Sequence, residues 1–419
     1  MRTWIKLDNA GKIFPSTSSK SRTNLFRLCF SLNEKVDPKL LQETLNEVIK
    51  RFKVFKQKLR RGLFWNYFEE NKMYPLVVPE NAYILEPFDK YSSRGYLFRI
   101  TYFENKIGLE MFHALTDGYG ALQFLKAIVY DYLVLKGYNI NDEGKILFDL
   151  ESTYEEKEDS FQKIYKKEKN TDMTEKKSCH ITGTKYQDNY IGVITGSTPK
   201  DKFKELLSKY DCSYTQFLCG VINYCASKHD YMIKNIDHPF QVFVPVDLRR
   251  KYTSKTLRNF SMIVKTSIKL SKKYTLEDYI KMSKEQLIEN LKDENLLPRV
   301  AGNVKLEKMF ILRIVPLFIK QIAFKIGYNR MSTKANSFCL SNLGEVDLPN
   351  DMRKYVTKVT FANGTSNEAP INLGVTNYNG NVYMTLSCSI LERDFQREFF
   401  RVLSSLGLDI TIENNDLEE

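Results

Sequence analysis

The stretch "KIGLEMFHALTDGYGALQFLKAIVYDYLVLKG", residues 106–137, holds two periodicities joined by a turn. Its first half reads as a strand. The preceding run "YLFRITYF" reads as a second strand, and the polar pair Glu104–Asn105 makes the turn between them. The second half reads as a helix: Leu122, Leu125, Ile128, Val129 and Tyr132 recur at three and four residues, and Gly137 suits a C-terminal cap. Between the halves lies His113-x-x-x-Asp117-Gly118, where a strand ends and a helix begins. A strand end holds a side chain rigidly at a sheet edge, and a helix N-terminus offers free N–H groups and partial positive charge beside it. Asp117 can cap the helix or pair with an arginine, and Gly118 allows a tight turn. So placed, a neutral imidazole and backbone donors would surround one reacting atom, which suits attack on a carbonyl. The same six residues equally fit a buried histidine satisfied by backbone beside a capped helix.

Working outward, "NLFRLCFSL" (24–32) is a β-rich run. The helix after it starts with Asp37 as cap and Pro38 in its first turn, and carries Leu41, Leu45, Val48, Ile49 and Phe52 on one face. Residues 151–180 contain 15 lysines and acids and offer almost nothing to bury, so they read as an exposed connector. The pattern then restarts with the strand "YIGVITGS", two helices up to His229, and the strand run "QVFVPVDLRR" (241–250). A charged helical stretch follows at 276–295. Further on, "SFCLSNLGEVDLP" (337–349) is a strand running into a Ser-Asn-Leu-Gly turn, and Asn379-Gly380 between alternating runs signals a type I′ hairpin. A last helix places Phe395, Phe399, Val402, Leu403 and Leu406 on one face. The expected organisation is α+β twice: a first lobe over 1–150 carrying the histidine motif, a charged connector over 151–185, and a second lobe over 186–419.

Composition narrows the classes. With 42% hydrophobic and 27% charged residues the chain is a globular protein rather than a disordered one. The net charge of +12 comes with no isolated basic block and no zinc-finger, RRM or helix-turn-helix signature, so no nucleic-acid partner is expected. Seven cysteines without a CxxC pair, and a start lacking an apolar h-region, point to reduced thiols in a cytoplasmic protein. The most apolar stretch, 309–328, is interrupted by Arg313, Pro316, Lys320 and Lys325, which reads as an amphipathic helix pair rather than a membrane span. That pair either packs onto its own domain or faces lipid. No metal-ligand spacing and no GxSxG occur, and His180, His229 and His238 have no partner pattern.

The HxxxDG motif after a strand, a quarter of the way along, resembles that of the chloramphenicol-acetyltransferase-like superfamily. This group includes nonribosomal condensation domains, plant-type acyltransferases and microbial alcohol acetyltransferases. "FRLCFSL" with its helix, "VPVDLRR" (244–250) and "SNLGEVDLP" (341–349) resemble the last of these, in the expected order. Phe112 stands where condensation domains carry the first of two histidines, and the plant-type DFGWG stretch is missing, so the resemblance is to a stand-alone acetyltransferase. It implies two lobes, each a mixed sheet covered by helices, with a tunnel between them. It implies no bound cofactor, acyl-CoA as co-substrate and an alcohol or amine as the small-molecule acceptor, with His113 as general base. Ser341, Asn342 and the Gly118 N–H are the candidates for binding the oxyanion or substrate. Asp117 would be structural, paired with Arg249 or, alternatively, Arg99. An acyl carrier protein is the alternative donor, and a catalytically silent binding or scaffold role is the alternative function. A monomer is the default expectation, since two lobes already supply the cleft.

Overall fold

The computed structural model describes residues 4–415 apart from 90, 92, 149–150, 167–175 and 332–334. Two main sheets organise it. The first, among the described residues, has five strands in the order Val356–Asn363, Leu25–Leu32, Lys106–Phe112, Phe98–Phe103, Val77–Pro79. Every residue of Leu25–Leu32 is buried, as a central strand covered on both faces must be. The helices Pro38–Arg51 and Gly118–Leu135 pack on this sheet and on each other. The first begins as its sequence expects, with the Asp37 carboxylate accepting from the Lys39 N–H at 2.9 Å and the Leu40 N–H at 3.2 Å.

The second sheet runs Ser261–Ile268, Phe240–Asp247, Phe338–Glu345, Ile371–Tyr378, Asn381–Cys388, Gly192–Pro199, Thr411–Asn414. Phe338–Glu345 is parallel to both neighbours, and the other pairings are antiparallel. The helices Tyr214–Lys228, Leu276–Asn290 and Asp394–Ser405 cover it. The Asn379-Gly380 hairpin forms as read, with φ of 48° and 75° at its two central residues. Two mixed sheets with their own helices and cores give the α+β architecture in two lobes.

Sheet membership does not follow chain order. Val356–Asn363 leaves the second part of the chain and pairs antiparallel with Leu25–Leu32 in the first sheet, covering an edge that would otherwise expose unpaired backbone groups. The same strand is fastened to the second sheet: Thr376 Oγ1 donates to the Val359 carbonyl at 2.6 Å, and Tyr378 Oη donates to the Val356 carbonyl at 3.0 Å. A Cβ at Gly374 would stand 1.9 Å from the Phe361 carbonyl oxygen, so only glycine permits this crossing.

One expectation is corrected. The connector is not wholly exposed. Phe161 is buried edge-on against Phe260, with ring centres 5.3 Å apart, and Glu156 is buried in a two-bond pair with Arg51 at 2.7 and 2.9 Å. A high count of charges concealed an aromatic and a partnered acid, and Ser160, Ser178 and Cys179 are buried as well; 167–175 lie outside the described residues. The helix pair Phe310–Ile314 and Leu317–Met331 forms; Leu317 is buried, while Phe310, Ile314, Phe318, Ile322 and Ile326 are exposed. Among the described residues no helix is long and apolar enough to cross a membrane.

Candidate active site

His113 directly follows the strand Lys106–Phe112, and its backbone is held from both sides. Its N–H donates to the Asn24 carbonyl at 3.0 Å, and its carbonyl accepts from Asn259 Nδ2 at 2.9 Å. The imidazole lies between two aromatic rings: Phe14 stacks on it at 5.2 Å and Phe26 is tilted against it at 4.5 Å. The site is deep, and His113 as a residue is only partly covered. Burial pushes the pKa of His113 down to about 4, opposed by the Asp117 carboxylate and by a backbone hydrogen bond with Thr116. The ring is therefore neutral at pH 7, the form that accepts a proton.

Asp117 is committed elsewhere. One carboxylate caps the helix Gly118–Leu135 by accepting from the Gly120 N–H at 3.3 Å, and also accepts from the Phe260 N–H at 2.8 Å. It pairs with Arg249 through two bonds, at 2.9 and 3.2 Å. Arg249 further contacts Asp247 at 2.8 Å, the Thr256 carbonyl at 2.9 Å and the Arg258 carbonyl, and its guanidinium lies 4.5 Å from the centre of the Tyr119 ring. Both partners are buried, and this cluster holds the histidine loop against the other lobe. Arg99, the alternative partner, is on the first sheet and pairs with Glu110.

The segment 256–260 is the wall behind the motif. Thr116 Oγ1 donates to the Leu257 carbonyl at 2.5 Å, and Asn259, besides holding His113, donates to the fully buried Asp8 carboxylate at 3.2 Å. Asp8 also accepts from the Gly11 N–H at 2.6 Å and pairs with Arg258 at 3.4 Å, which ties the segment around Asp8 to the wall behind the motif. Gly118 stands where it does for space rather than for conformation. Its φ is not in the left-handed region, but a Cβ would meet Leu343 Cδ2 at 2.6 Å. At Gly120 a Cβ would lie 2.2 Å from both the Leu257 carbonyl oxygen and Thr116 Oγ1. A leucine tip can swing aside and a backbone carbonyl cannot. We expect Gly120→Ala to cost about 3 kcal/mol and Gly118→Ala about 1 kcal/mol. Urea unfolding midpoints check the order, and the reverse order would mean that 256–260 is not a fixed wall.

Ser341 and Asn342 lie on the strand Phe338–Glu345, and the link from this strand to the histidine loop runs through Leu343. Asn342 is engaged locally, accepting from the Gly344 N–H at 2.8 Å and donating to Thr215 Oγ1 at 3.2 Å. Ser341 Oγ lies 3.8 Å from Cys339 Sγ and is nearly buried. Of the other histidines, His180 is turned to the Asn336 and Glu368 carbonyls and His229 to Tyr231. Sequence reading missed Phe14, Phe26, Asp8 and Asn259. No local pattern marks them, because each meets the motif only through the tertiary fold.

No family model matches the chain, and no curated protein matches it in sequence. Solved structures do match in shape. F. sporotrichioides TRI101 complexed with coenzyme A and T-2 is 12% identical and aligns over 99% of this chain and 100% of its own, with a TM-score of 0.61. The trichothecene 15-O-acetyltransferase TRI3 from Fusarium sporotrichioides is 9% identical over 97% and 94%, with a TM-score of 0.61. The condensation domain of the monacolin K polyketide synthase MokA is 8% identical over 96% of each chain, with a TM-score of 0.57. The chain thus has the two-lobed fold of the acyltransferases and condensation domains that the HxxxDG motif resembles.

Proposed function

We propose that the protein is an acyltransferase that moves an acyl group from acyl-CoA to an alcohol or amine, with His113 as general base. The observation that carries this reading is the neutral imidazole of His113 near an Asp117 that is fully engaged by Arg249 and by the Gly120 and Phe260 N–H groups. Among the described residues the imidazole is hydrogen-bonded to no carboxylate, serine or cysteine, and in this reading the proton it takes is the acceptor's. As that proton moves to the imidazole, the acceptor oxygen or nitrogen bonds to the thioester carbonyl carbon. The tetrahedral oxyanion needs a donor, and we assign this role to Ser341 Oγ or the Gly118 N–H. Asn342 is assigned to holding the irregular end of its strand, because both ends of its amide are engaged. The C–S bond then breaks, and the leaving thiolate takes the proton back from His113. That TRI101 was crystallised with coenzyme A and TRI3 is an acetyltransferase supports this chemistry on this fold.

The test is thiol release from acetyl-CoA and longer acyl-CoAs with a panel of alcohols and amines and no carrier protein. Acceptor-dependent release supports the reading. Release only from a carrier-bound thioester would move the protein to condensation chemistry, and no release from any donor would leave a binding or scaffold role.

The pH profile offers a second check. An ordinary histidine would lose half its base form at about pH 6.5. Here kcat/KM is expected to hold from pH 7 to near 5 and to fall with an apparent pKa of about 4. The unfolded chain takes up the proton below about 6.5 while the folded site does not until about 4, so stability declines over that interval and folding must be monitored alongside. A midpoint near 6.5 with the protein intact would show that His113 is not a buried base.

A further inference from the structure

The helix pair Phe310–Ile314 and Leu317–Met331 carries a row of exposed apolar side chains. A helix lying on a protein surface directs its apolar residues inward. Here Phe310 is 73% exposed, Ile314 52%, Phe318 65%, Ile322 59% and Ile326 47%. Their four-residue spacing draws one outward stripe along each helix. Leu317 turns inward and so, unusually, does Lys320, which donates to the Phe64 carbonyl at 2.7 Å with its ammonium 3.7 Å from the centre of the Trp65 ring. Residues 305–331 contain six lysines and arginines and a single acid, Glu307. That acid is already engaged by Lys12 at 2.6 Å and Asn9 at 2.9 Å. Lys305, Lys308 and Arg313 are exposed beside the stripe.

A second chain segment extends the same face. The tip of the hairpin formed by Gln57–Arg61 and Asn66–Glu70 rides on the helix pair, with the Leu63 carbonyl accepting from the Leu317 N–H at 2.8 Å. It adds Leu63, 71% exposed, and Phe64, next to the exposed Arg60 and Arg61. Both tryptophans of the chain, Trp4 and Trp65, line a cavity of about 670 Å³ shared with Arg313.

We propose that this face docks on an anionic lipid surface. The helix pair presents outward apolar side chains beside an excess of cations, and the hairpin tip adds Leu63, Phe64 and Arg61 to the same face, its Arg60 being paired with Glu69 at 2.7 Å. Apolar side chains enter the boundary between headgroups and acyl chains while lysine and arginine meet the anionic headgroups. A second copy of the chain would bring like charges together across the patch, which disfavours self-association. The proposal does not depend on the acyl-transfer reading.

The full-length protein is floated with phosphatidylcholine vesicles, with and without phosphatidylserine, while tryptophan fluorescence is recorded. Binding to the phosphatidylserine vesicles with a blue shift, weakened by high salt, is expected. The double variant Phe310→Ser, Phe318→Ser should lower partitioning on the order of a hundredfold, since two phenyl groups no longer leave water. Lys308→Glu with Arg313→Glu should lower it by about tenfold or more. All four side chains are exposed, and circular dichroism confirms that the variants fold. Failure to bind either vesicle, equal binding to phosphatidylcholine alone, or equal binding by the apolar variant would overturn the proposal. So would lipid-free, concentration-dependent dimerisation that the same variants remove.

Discussion

Arg249→Ala is expected to destabilise the protein by about 3–5 kcal/mol, the range for removing one partner of a buried ion pair. The reason lies in what stays behind. Asp117 would keep its charge in a buried position, with only the Gly120 and Phe260 N–H groups to hold it. The Thr256 and Arg258 carbonyls would lose their donor at the same time. Arg249→Lys should recover little, because an ammonium cannot serve two carboxylates and two carbonyls in a planar fork or lie across the Tyr119 ring in the same way. Activity should fall with stability, since the histidine loop is held to the other lobe through this cluster. Urea unfolding of both variants checks the prediction. A loss below about 1 kcal/mol for Arg249→Ala would put this pair in the range of solvent-exposed ion pairs and remove its positioning role.

His113→Ala should leave folding nearly intact and lower kcat by about 10²–10⁴-fold, the usual contribution of a positioned proton acceptor. The ring stacks between Phe14 and Phe26 but carries no ion pair, so its removal strands no buried charge. A base with a pKa of about 4 is weak in bulk terms. The imidazolium, however, is favoured at a distance by the field of the Asp117 carboxylate, which already acts to raise that pKa. Small amine bases such as imidazole should partly restore the variant, because the missing function is proton acceptance. If His113→Ala retained the wild-type kcat, or lost activity only by unfolding, the catalytic role would be lost.

Much of the fold was legible because its strongest signals are local. The change from strand to helix at 112–118, the Asp37 cap and the Asn379-Gly380 turn all depend on residues within a few positions of each other. The histidine motif was legible as a spacing, and the partner of Asp117 was narrowed to Arg249 or Arg99 only through resemblance. What the sequence concealed depends on long-range contact. Asn259 lies 146 residues from the carbonyl it holds, and Asp8 is 251 residues from Asn259. Gly118 invited a conformational explanation, while its neighbour across the lobes, Leu343, supplies a steric one. The crossover of Val356–Asn363 into the first sheet was equally hidden, because the strand's periodicity is the same in either sheet.

The most direct test is acceptor-dependent thiol release from acyl-CoA, measured side by side for the wild-type protein and for His113→Ala of matched circular dichroism. The account expects release that requires an acceptor, yields acylated acceptor in equal amount, and falls by at least about a hundredfold in the variant. Equal release by the two proteins, or release that proceeds without acceptor, would contradict it.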